Sequence, residues 1–171
     1  MKVVIIGGVA GGASAAARLR RLDESAEIVM VERTGYVSYA NCGLPYYVGG
    51  VIADRAELTL QTPERFRERF NIDVRVGSEV TAINREAKTV SVREAETGRI
   101  YEEPYDKLIL APGAAPVVPA AVSLDSPRVF TLRTVEAALA LRASVTEKTP
   151  RRAVVVGGGF IGIEAAENLV E

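Results

Sequence analysis

Two glycine-rich turns, each placed between an apolar run and a helical stretch, constrain the fold of this chain most strongly. The first turn, Gly7–Gly12, follows the β-branched run Lys2–Ile6 and precedes a predicted helix, Ala13–Leu22. A second buried strand, Glu27–Val31, is then predicted, and it is followed directly by Glu32. Glycines let the backbone approach a pyrophosphate on the helix N-terminus, and an acidic residue about 20 positions on accepts hydrogen bonds from ribose hydroxyls. The pattern therefore predicts a dinucleotide site.

The two turns differ in completeness. In the first, Val9 stands where the G-x-G-x-x-G fingerprint has its middle glycine. The second follows a predicted strand, Ala153–Val156, and carries all three fingerprint glycines, Gly157, Gly159 and Gly162. A turn that serves packing alone is the alternative for both. Because the turns begin about 150 residues apart, we predict the beginnings of two nucleotide-binding units.

Between the turns, the hydrophobic period changes from helical to alternating. Thr62, Pro63 and Glu64 predict a helix start. Short alternating runs between residues 72 and 105 predict an antiparallel meander, and Tyr105–Leu110 predicts a return to a buried strand. A helix is predicted over Thr134–Ser144, with a linker over residues 146–151. The fold class is therefore α/β, with a parallel Rossmann-like sheet and an antiparallel β-meander.

This organisation predicts one domain over residues 1–147 and the beginning of a second over residues 151–171. One strand and one helix cannot bury both faces of an apolar strand. We therefore expect the chain to be the N-terminal part of a longer protein, with the second Rossmann unit truncated.

Composition excludes several classes of partner. The 21 Lys and Arg residues nearly balance the 22 Asp and Glu residues, which gives a net charge of −1 and no strong field for nucleic acid. A local basic cluster remains at Arg18, Arg20 and Arg21. No uninterrupted apolar run of about 18 residues occurs, so we expect no membrane span. One cysteine allows no internal disulfide and fits the reducing cytoplasm, and we predict no metal site.

That cysteine, Cys42, precedes a predicted short helix that Pro45 would begin. A helix N-terminus stabilises the reactive thiolate, and Gly43 leaves space beside the sulfur. The alternative is that Cys42 is a small buried hydrophobic side chain, the usual fate of a lone free cysteine.

Two dinucleotide fingerprints that flank a meander, with the segment Ser38–Tyr47 (SYANCGLPYY) between them, resemble the pyridine nucleotide-disulfide oxidoreductases. Many members carry a C-x-x-x-x-C pair, but here Tyr47 stands five residues after Cys42. The chain is similar to the single-cysteine branch, which includes coenzyme A disulfide reductases, persulfide reductases and NADH oxidases and peroxidases. The turn sequence Gly7–Gly12 most resembles the coenzyme A disulfide reductases.

The resemblance implies FAD and NAD(P)H as cofactors. The FAD-binding residues it implies are Gly7, Gly8, Val9, Ala10, Gly11, Gly12, Glu32, Arg33, Asn41, Cys42, Val80, Ala111 and Gly113. The NAD(P)H pyrophosphate would lie at Gly157, Gly159 and Gly162. The residues it implies for coenzyme A are Ser14, Arg18, Arg21, Ser38 and Asn41. Independently of the resemblance, Arg18 and Arg21 lie at i and i+3 of one helical face and can clamp a phosphate, or they form a solvated basic face.

The resemblance also implies an activity: a flavin-dependent homodimer in which Cys42 attacks a disulfide or persulfide of coenzyme A or a related small thiol. One alternative is an NADH oxidase or peroxidase acting through a cysteine sulfenic acid. Against it, Ala10 stands where those members typically carry a histidine, and the chain has none. A second alternative is a flavin-binding electron-transfer module in which Cys42 only packs. Without the family's C-terminal domain, we expect this chain alone to be inactive.

Overall fold

The computed structural model describes residues 1–170, which pack as two compact units. The first unit comprises Met1–Tyr39 and Leu60–Gly113. The second comprises Ala40–Thr59 and the residues from Ala114 onward.

The first unit holds seven strands and two α-helices of the described chain. The strands are β1 (Lys2–Ile6), β2 (Glu27–Val31), β3 (Asp73–Arg75), β4 (Ser78–Asn84), β5 (Thr89–Glu94), β6 (Ile100–Pro104) and β7 (Lys107–Leu110). The helices are numbered in chain order. The first unit contains α1 (Ala10–Leu22) and α3 (Pro63–Phe70). The second unit contains α2 (Leu44–Gly49), α4 (Val135–Lys148) and α5 (Phe160–Val170). Two short 3₁₀ turns, Asn41–Gly43 and Arg55–Leu58, also lie in the second unit.

Four strands of the first unit form a parallel sheet in the order β3-β2-β1-β7. Val4 of β1 lies opposite Val29 of β2 and Leu108 of β7. The sheet is buried on both faces, which explains why β1 and β2 are continuous apolar runs in the sequence.

Each face of the parallel sheet has its own apolar layer. On one face, Ile5 and Met30 pack in a cluster with Ala16 of α1 and Phe66 of α3. On the other face, Val4, Val29 and Val31 pack in a cluster with Val90 and Val92 of β5. The meander thus covers the face that the helices leave open.

The meander itself is antiparallel, in the order β4-β5-β6. Its register shifts between Val80 and Ala82 of β4, which leaves Thr81 without a paired residue on β5. Such a bulge bends the strand and increases its twist.

A charge network joins the meander to the parallel sheet. Glu103 of β6 is only 6% exposed and receives hydrogen bonds from Lys2 (2.6 Å) and from Arg75 of β3. Burial opposes the charge on Glu103, but these two hydrogen bonds hold the pKa of its carboxyl below the ordinary value. Burial also opposes the charge on Arg75, yet hydrogen bonds to Glu103, Tyr101 and Asp73 leave the pKa of its guanidinium raised.

The second unit is built around α2, which packs against α4 and α5. A Cβ added at Gly49 would lie 2.5 Å from the backbone oxygen of Asn168, so α2 and α5 cross at backbone distance. The Arg142 guanidinium of α4 lies 4.2 Å from the centroid of the Tyr47 ring and donates to the carbonyl of Ile52 (2.9 Å).

The predicted α/β class, with a parallel Rossmann-like sheet and a meander, is confirmed, but several boundaries move. α1 begins at Ala10, three residues earlier than predicted, because the glycine turn itself provides the first helical turn. α4 continues to Lys148 and so takes in part of the predicted linker. β7 begins at Lys107 rather than Tyr105.

The predicted strand over residues 153–156 is wrong. These residues have no regular secondary structure, and Val154 and Val156 are 87% and 74% exposed. A parallel strand needs a neighbour to satisfy its backbone groups, and within residues 1–170 no strand lies beside this segment. In the same described part of the chain, no helix is long and apolar enough to cross a membrane.

Candidate functional site

The first glycine turn is held in a conformation that only glycine accepts. Gly7 has φ +97°, and a Cβ there would lie 2.0 Å from the backbone oxygen of Ala111. A Cβ at Gly12 would lie 1.7 Å from the backbone oxygen of Gly7. The start of α1 therefore lies directly against the turn after β1 and the residue after β7.

The outer side of this turn remains open. Ala10 and Gly11 are exposed. Val9 is the N-cap residue of α1 and supplies no side-chain hydrogen bond to the first helical turn. The N-terminus of a 13-residue helix thus presents its free N–H groups without a capping side chain. These uncapped donors fit the phosphate groups of a dinucleotide.

Glu32 fastens the turn to the end of β2. Its side chain is buried, with 7% exposure, and Oε2 accepts a hydrogen bond of 2.7 Å from the Gly8 N–H. Oε1 accepts from both the backbone N–H and the hydroxyl of Thr34, each at 2.8 Å. The sequence predicted Glu32 as a ribose acceptor but gave no sign of its bond to the glycine turn.

Ser38 is joined to the same turn from another direction. Its N–H donates to the Gly8 carbonyl at 2.9 Å, and its own carbonyl accepts from Leu60 at 2.9 Å. Ser38 has φ +47°, a left-handed conformation that is unusual for a non-glycine residue. The structure thus gathers six predicted site residues into one cluster, which we call the glycine-turn cluster: Gly7, Gly8, Gly12, Glu32, Ser38 and Ala111.

Three more predicted cofactor residues lie on the first unit. Val80 lies at the β4 bulge. Gly113 follows β7 and has φ +73°. Arg33 is exposed and lies 4.0 Å from Glu79 in a loose ion pair, which contributes little to stability.

The three arginines of the basic cluster on α1 differ in their hydrogen bonds and exposure. The Arg20 guanidinium donates to four backbone carbonyls, those of Asp23, Glu24, Phe70 and Asn71. Arg18 and Arg21 are exposed, as is Ser14 one turn before them. Within residues 1–170 neither Arg18 nor Arg21 has an ion-pair partner. Their side chains are therefore available for an anion.

Cys42 is exposed in the 3₁₀ turn that leads directly into α2, so the alternative of a buried packing cysteine is wrong. The neighbouring Gly43 is buried, and a Cβ there would lie 3.1 Å from the Leu58 side chain. The turn therefore packs closely through Gly43 while the thiol is exposed. Oδ1 of Asn41 is buried and has no hydrogen-bond partner among the described residues, which leaves one acceptor beside the cysteine unused.

The second glycine turn repeats the geometry of the first. Gly157 has φ +115°, and a Cβ at Gly162 would lie 2.1 Å from its backbone oxygen. Apart from the adjoining chain, no atom of residues 1–170 lies within 4 Å of a Cβ added at Gly158 or Gly159. The turn therefore keeps its shape without the predicted strand, and its open side fits a pyrophosphate.

Two functional candidates were not predicted from the sequence: Thr34 beside Glu32, and Arg142 over Tyr47. Thr34 lies two residues after Glu32, a spacing typical of side-chain turns that could have revealed it. Arg142 is remote from Tyr47 in the sequence, and no local signal marks it. Among residues 1–170, no three His, Cys, Asp or Glu side chains are grouped as a metal site.

Comparisons with known proteins agree with this geometry. The model of the pyridine nucleotide-disulphide oxidoreductase family matches residues 1–171. The coenzyme A disulfide reductase of Staphylococcus aureus is 42% identical over 170 residues, which are 99% of this chain and 38% of that protein.

Among the solved structures that are similar over 99% of the chain are two reductases. Reduced Bacillus anthracis CoADR-RHD has a TM-score of 0.95 and 55% identity, with 30% of that chain covered. The NAD-dependent persulfide reductase from A. fulgidus has a TM-score of 0.93 and 40% identity, with 32% of that chain covered. The chain therefore spans less than two fifths of the length of the relatives it matches.

Proposed function

Because this chain belongs to the pyridine nucleotide-disulphide oxidoreductase family, we propose that it is the cysteine-bearing part of an FAD-dependent NAD(P)H:disulfide oxidoreductase. The proposed substrate is the disulfide of coenzyme A, or a persulfide of the same or a related small thiol. One observation carries the proposal: the only cysteine is exposed in a helical turn at the start of α2. The names of the similar reductases support the substrate class.

In the proposed reaction, the Cys42 thiolate attacks one sulfur of the substrate disulfide. A bond forms between Cys42 and that sulfur, the substrate S–S bond breaks, and one thiol leaves as its thiolate and takes up a proton. The product is a mixed disulfide on Cys42. When bound, FAD supplies the two electrons, taken from NAD(P)H, that return Cys42 to its reduced form and release the second thiol.

The cofactor groups have separate binding residues in this proposal. The glycine-turn cluster would hold the FAD dinucleotide, with the pyrophosphate on α1 and the adenosine ribose on Glu32. That site would be completed by Val9, Ala10, Gly11, Arg33, Val80 and Gly113. The flavin would be faced by Asn41 and Cys42. Gly157, Gly159 and Gly162 would hold NAD(P)H at the start of α5.

Coenzyme A carries phosphates, and exposed arginines with no ion-pair partner suit them. Arg18 and Arg21, one turn apart on α1, would bind those phosphates, with Ser14, Ser38 and Asn41 as further polar contacts.

The single cysteine supports placement in the reducing cytoplasm, and the family resemblance supports a homodimer for the full-length protein.

The test compares wild-type full-length protein with Cys42→Ser. We expect the variant to lose NAD(P)H-dependent reduction of coenzyme A disulfide at least 1,000-fold, on the order of a lost covalent catalyst, and to keep its FAD. Disulfide reduction retained by Cys42→Ser would reject the mechanism.

A matched control moves the thiol without removing it. Cys42→Ser combined with Glu96→Cys keeps one exposed cysteine, now in the turn between β5 and β6. We expect this variant to be as inactive as Cys42→Ser.

Oxygen consumption with NADH alone distinguishes the oxidase alternative, because wild-type turnover through oxygen at the rate of disulfide reduction would favour that activity.

A further inference from the structure

The hydrogen bonds around Glu32 fix the orientation of its carboxylate in detail. Oε1 accepts two hydrogen bonds, from the Thr34 N–H and the Thr34 hydroxyl, both at 2.8 Å. Oε2 accepts one, from the Gly8 N–H at 2.7 Å. A carboxylate oxygen accepts about two hydrogen bonds, so Oε1 is full and Oε2 has one position left. Oε2 itself lies beside the glycine turn, within hydrogen-bond distance of Gly8.

Thr34 is itself firmly placed. Its carbonyl accepts from the Gly77 N–H at 2.9 Å, just before β4 begins, and its hydroxyl also lies 3.1 Å from the Tyr36 carbonyl. Branching at Cβ further restricts its side-chain rotation. The Glu32 carbonyl accepts from Ser78 at 3.0 Å, so both residues are tied to the start of the meander.

We propose that Thr34 is a positioning residue for dinucleotide binding: it occupies Oε1 of Glu32 and so directs Oε2 to the glycine turn, where Oε2 accepts a ribose hydroxyl. The inference rests on the proposed FAD site. A glutamate side chain has several rotatable bonds, and ordering them on ligand binding costs entropy. Thr34 orders them beforehand, which is how preorganisation improves affinity.

The experiment uses full-length protein from which flavin has been removed. Two variants are compared: Thr34→Val, which keeps the branched shape and the backbone N–H but lacks the hydroxyl, and Thr34→Ser, which keeps the hydroxyl. Each is titrated with FAD and with an FAD analogue whose adenosine lacks both ribose hydroxyls. Binding is followed by the change in flavin fluorescence.

We expect Thr34→Val to weaken FAD binding about tenfold, the effect of one hydrogen bond to a charged group. The analogue has no hydroxyl for Glu32 to accept, so its affinity should be the same for wild-type protein and Thr34→Val. Thr34→Ser should bind FAD like wild-type protein. If Thr34→Val does not fold, Thr34→Ala replaces it with the same expectations.

Two results would overturn the inference. In one, FAD affinity is unchanged in Thr34→Val. In the other, FAD and the analogue lose affinity equally, which would make Thr34 a structural residue only. Wild-type protein that binds neither ligand would instead remove the proposed FAD site itself, so the two failures are distinguishable.

Discussion

Three arginines in the second half of α1 differ in what surrounds their guanidinium groups. Arg20 donates to the carbonyls of Asp23 and Glu24 after α1 and of Phe70 and Asn71 at the end of α3, and so joins the ends of the two helices. Arg18 and Arg21 are exposed and have no ion-pair partner within residues 1–170. The same residue type therefore stabilises the structure at one position and is available for ligands at the other two.

The exposed arginines can be tested by substitution. In the full-length enzyme, Arg18→Gln and Arg21→Gln should each raise KM for coenzyme A disulfide about tenfold and leave kcat unchanged. A phosphate contact far from the reacting sulfur stabilises the bound substrate and the transition state equally, so its loss weakens substrate binding without slowing the bound reaction. Steady-state kinetics at low salt provide the measurement, since salt screens exposed charges.

Arg85→Gln is the matched control, because Arg85 is exposed in the turn between β4 and β5. Its KM should equal that of the wild-type enzyme. An equal rise in KM for Arg85→Gln, or no rise for the α1 variants, would contradict a phosphate site on α1.

At the scale of elements, β6 depends on buried charge as well as on its pairing with β5. Glu103 of β6 accepts from Lys2 of β1 and from Arg75 of β3, and so ties the meander to two strands of the parallel sheet. Removing one member of a buried ionic group leaves the others without compensation, which costs more than the net contribution of the pair.

Glu103→Gln should therefore destabilise β6 by about 2 kcal/mol at pH 7, typical of a hydrogen bond to a charged group. A free-energy change of that size corresponds to a roughly thirtyfold change in the opening equilibrium, so amide hydrogen exchange of β6 should become roughly thirtyfold faster. The pKa of Glu103 is lowered in the folded chain, so its stabilising effect is complete above its ordinary value of 4.5 and is lost as pH falls through the lowered pKa. The difference between variant and wild type should shrink over that acid range.

Glu102→Gln provides the control on the same strand. Glu102 is exposed, and its carboxylate accepts from the Ser91 hydroxyl at 2.5 Å. Exchange of β6 amides should stay close to wild type in this variant. Equal acceleration in both variants, or a Glu103→Gln effect that persists undiminished at low pH, would show that the buried charge network does not anchor β6.

At the scale of the whole described chain, the sequence predicted what depends on local pattern. The β-branched runs of β1 and β2, the glycine turn and the alternating meander strands lie where periodicity indicated. Features that depend on neighbours were missed. Residues 153–156 have the composition of a strand but no partner strand among residues 1–170, and the contact of Arg142 with Tyr47 joins distant parts of the sequence.

The residues of the candidate site likewise fall into those that the sequence predicted and those that depend on tertiary contacts. Gly7, Gly12 and Glu32 were predictable because a dinucleotide turn needs glycine and acid at fixed spacings. The left-handed conformation of Ser38 and the two hydrogen bonds that Thr34 donates to Glu32 were not predictable, since each depends on how the turn meets the residues after β2. The exposure of Cys42 likewise results from tertiary packing around Gly43.

The proposed function requires that Cys42 exchange directly with the disulfide of coenzyme A. The most direct measurement is intact-mass and peptide mass spectrometry of reduced full-length protein after incubation with coenzyme A disulfide and no NAD(P)H. We expect one coenzyme A bound per chain, located on Cys42 and removed by a thiol reductant. Unmodified Cys42 after prolonged incubation, in protein whose FAD is retained, would contradict it.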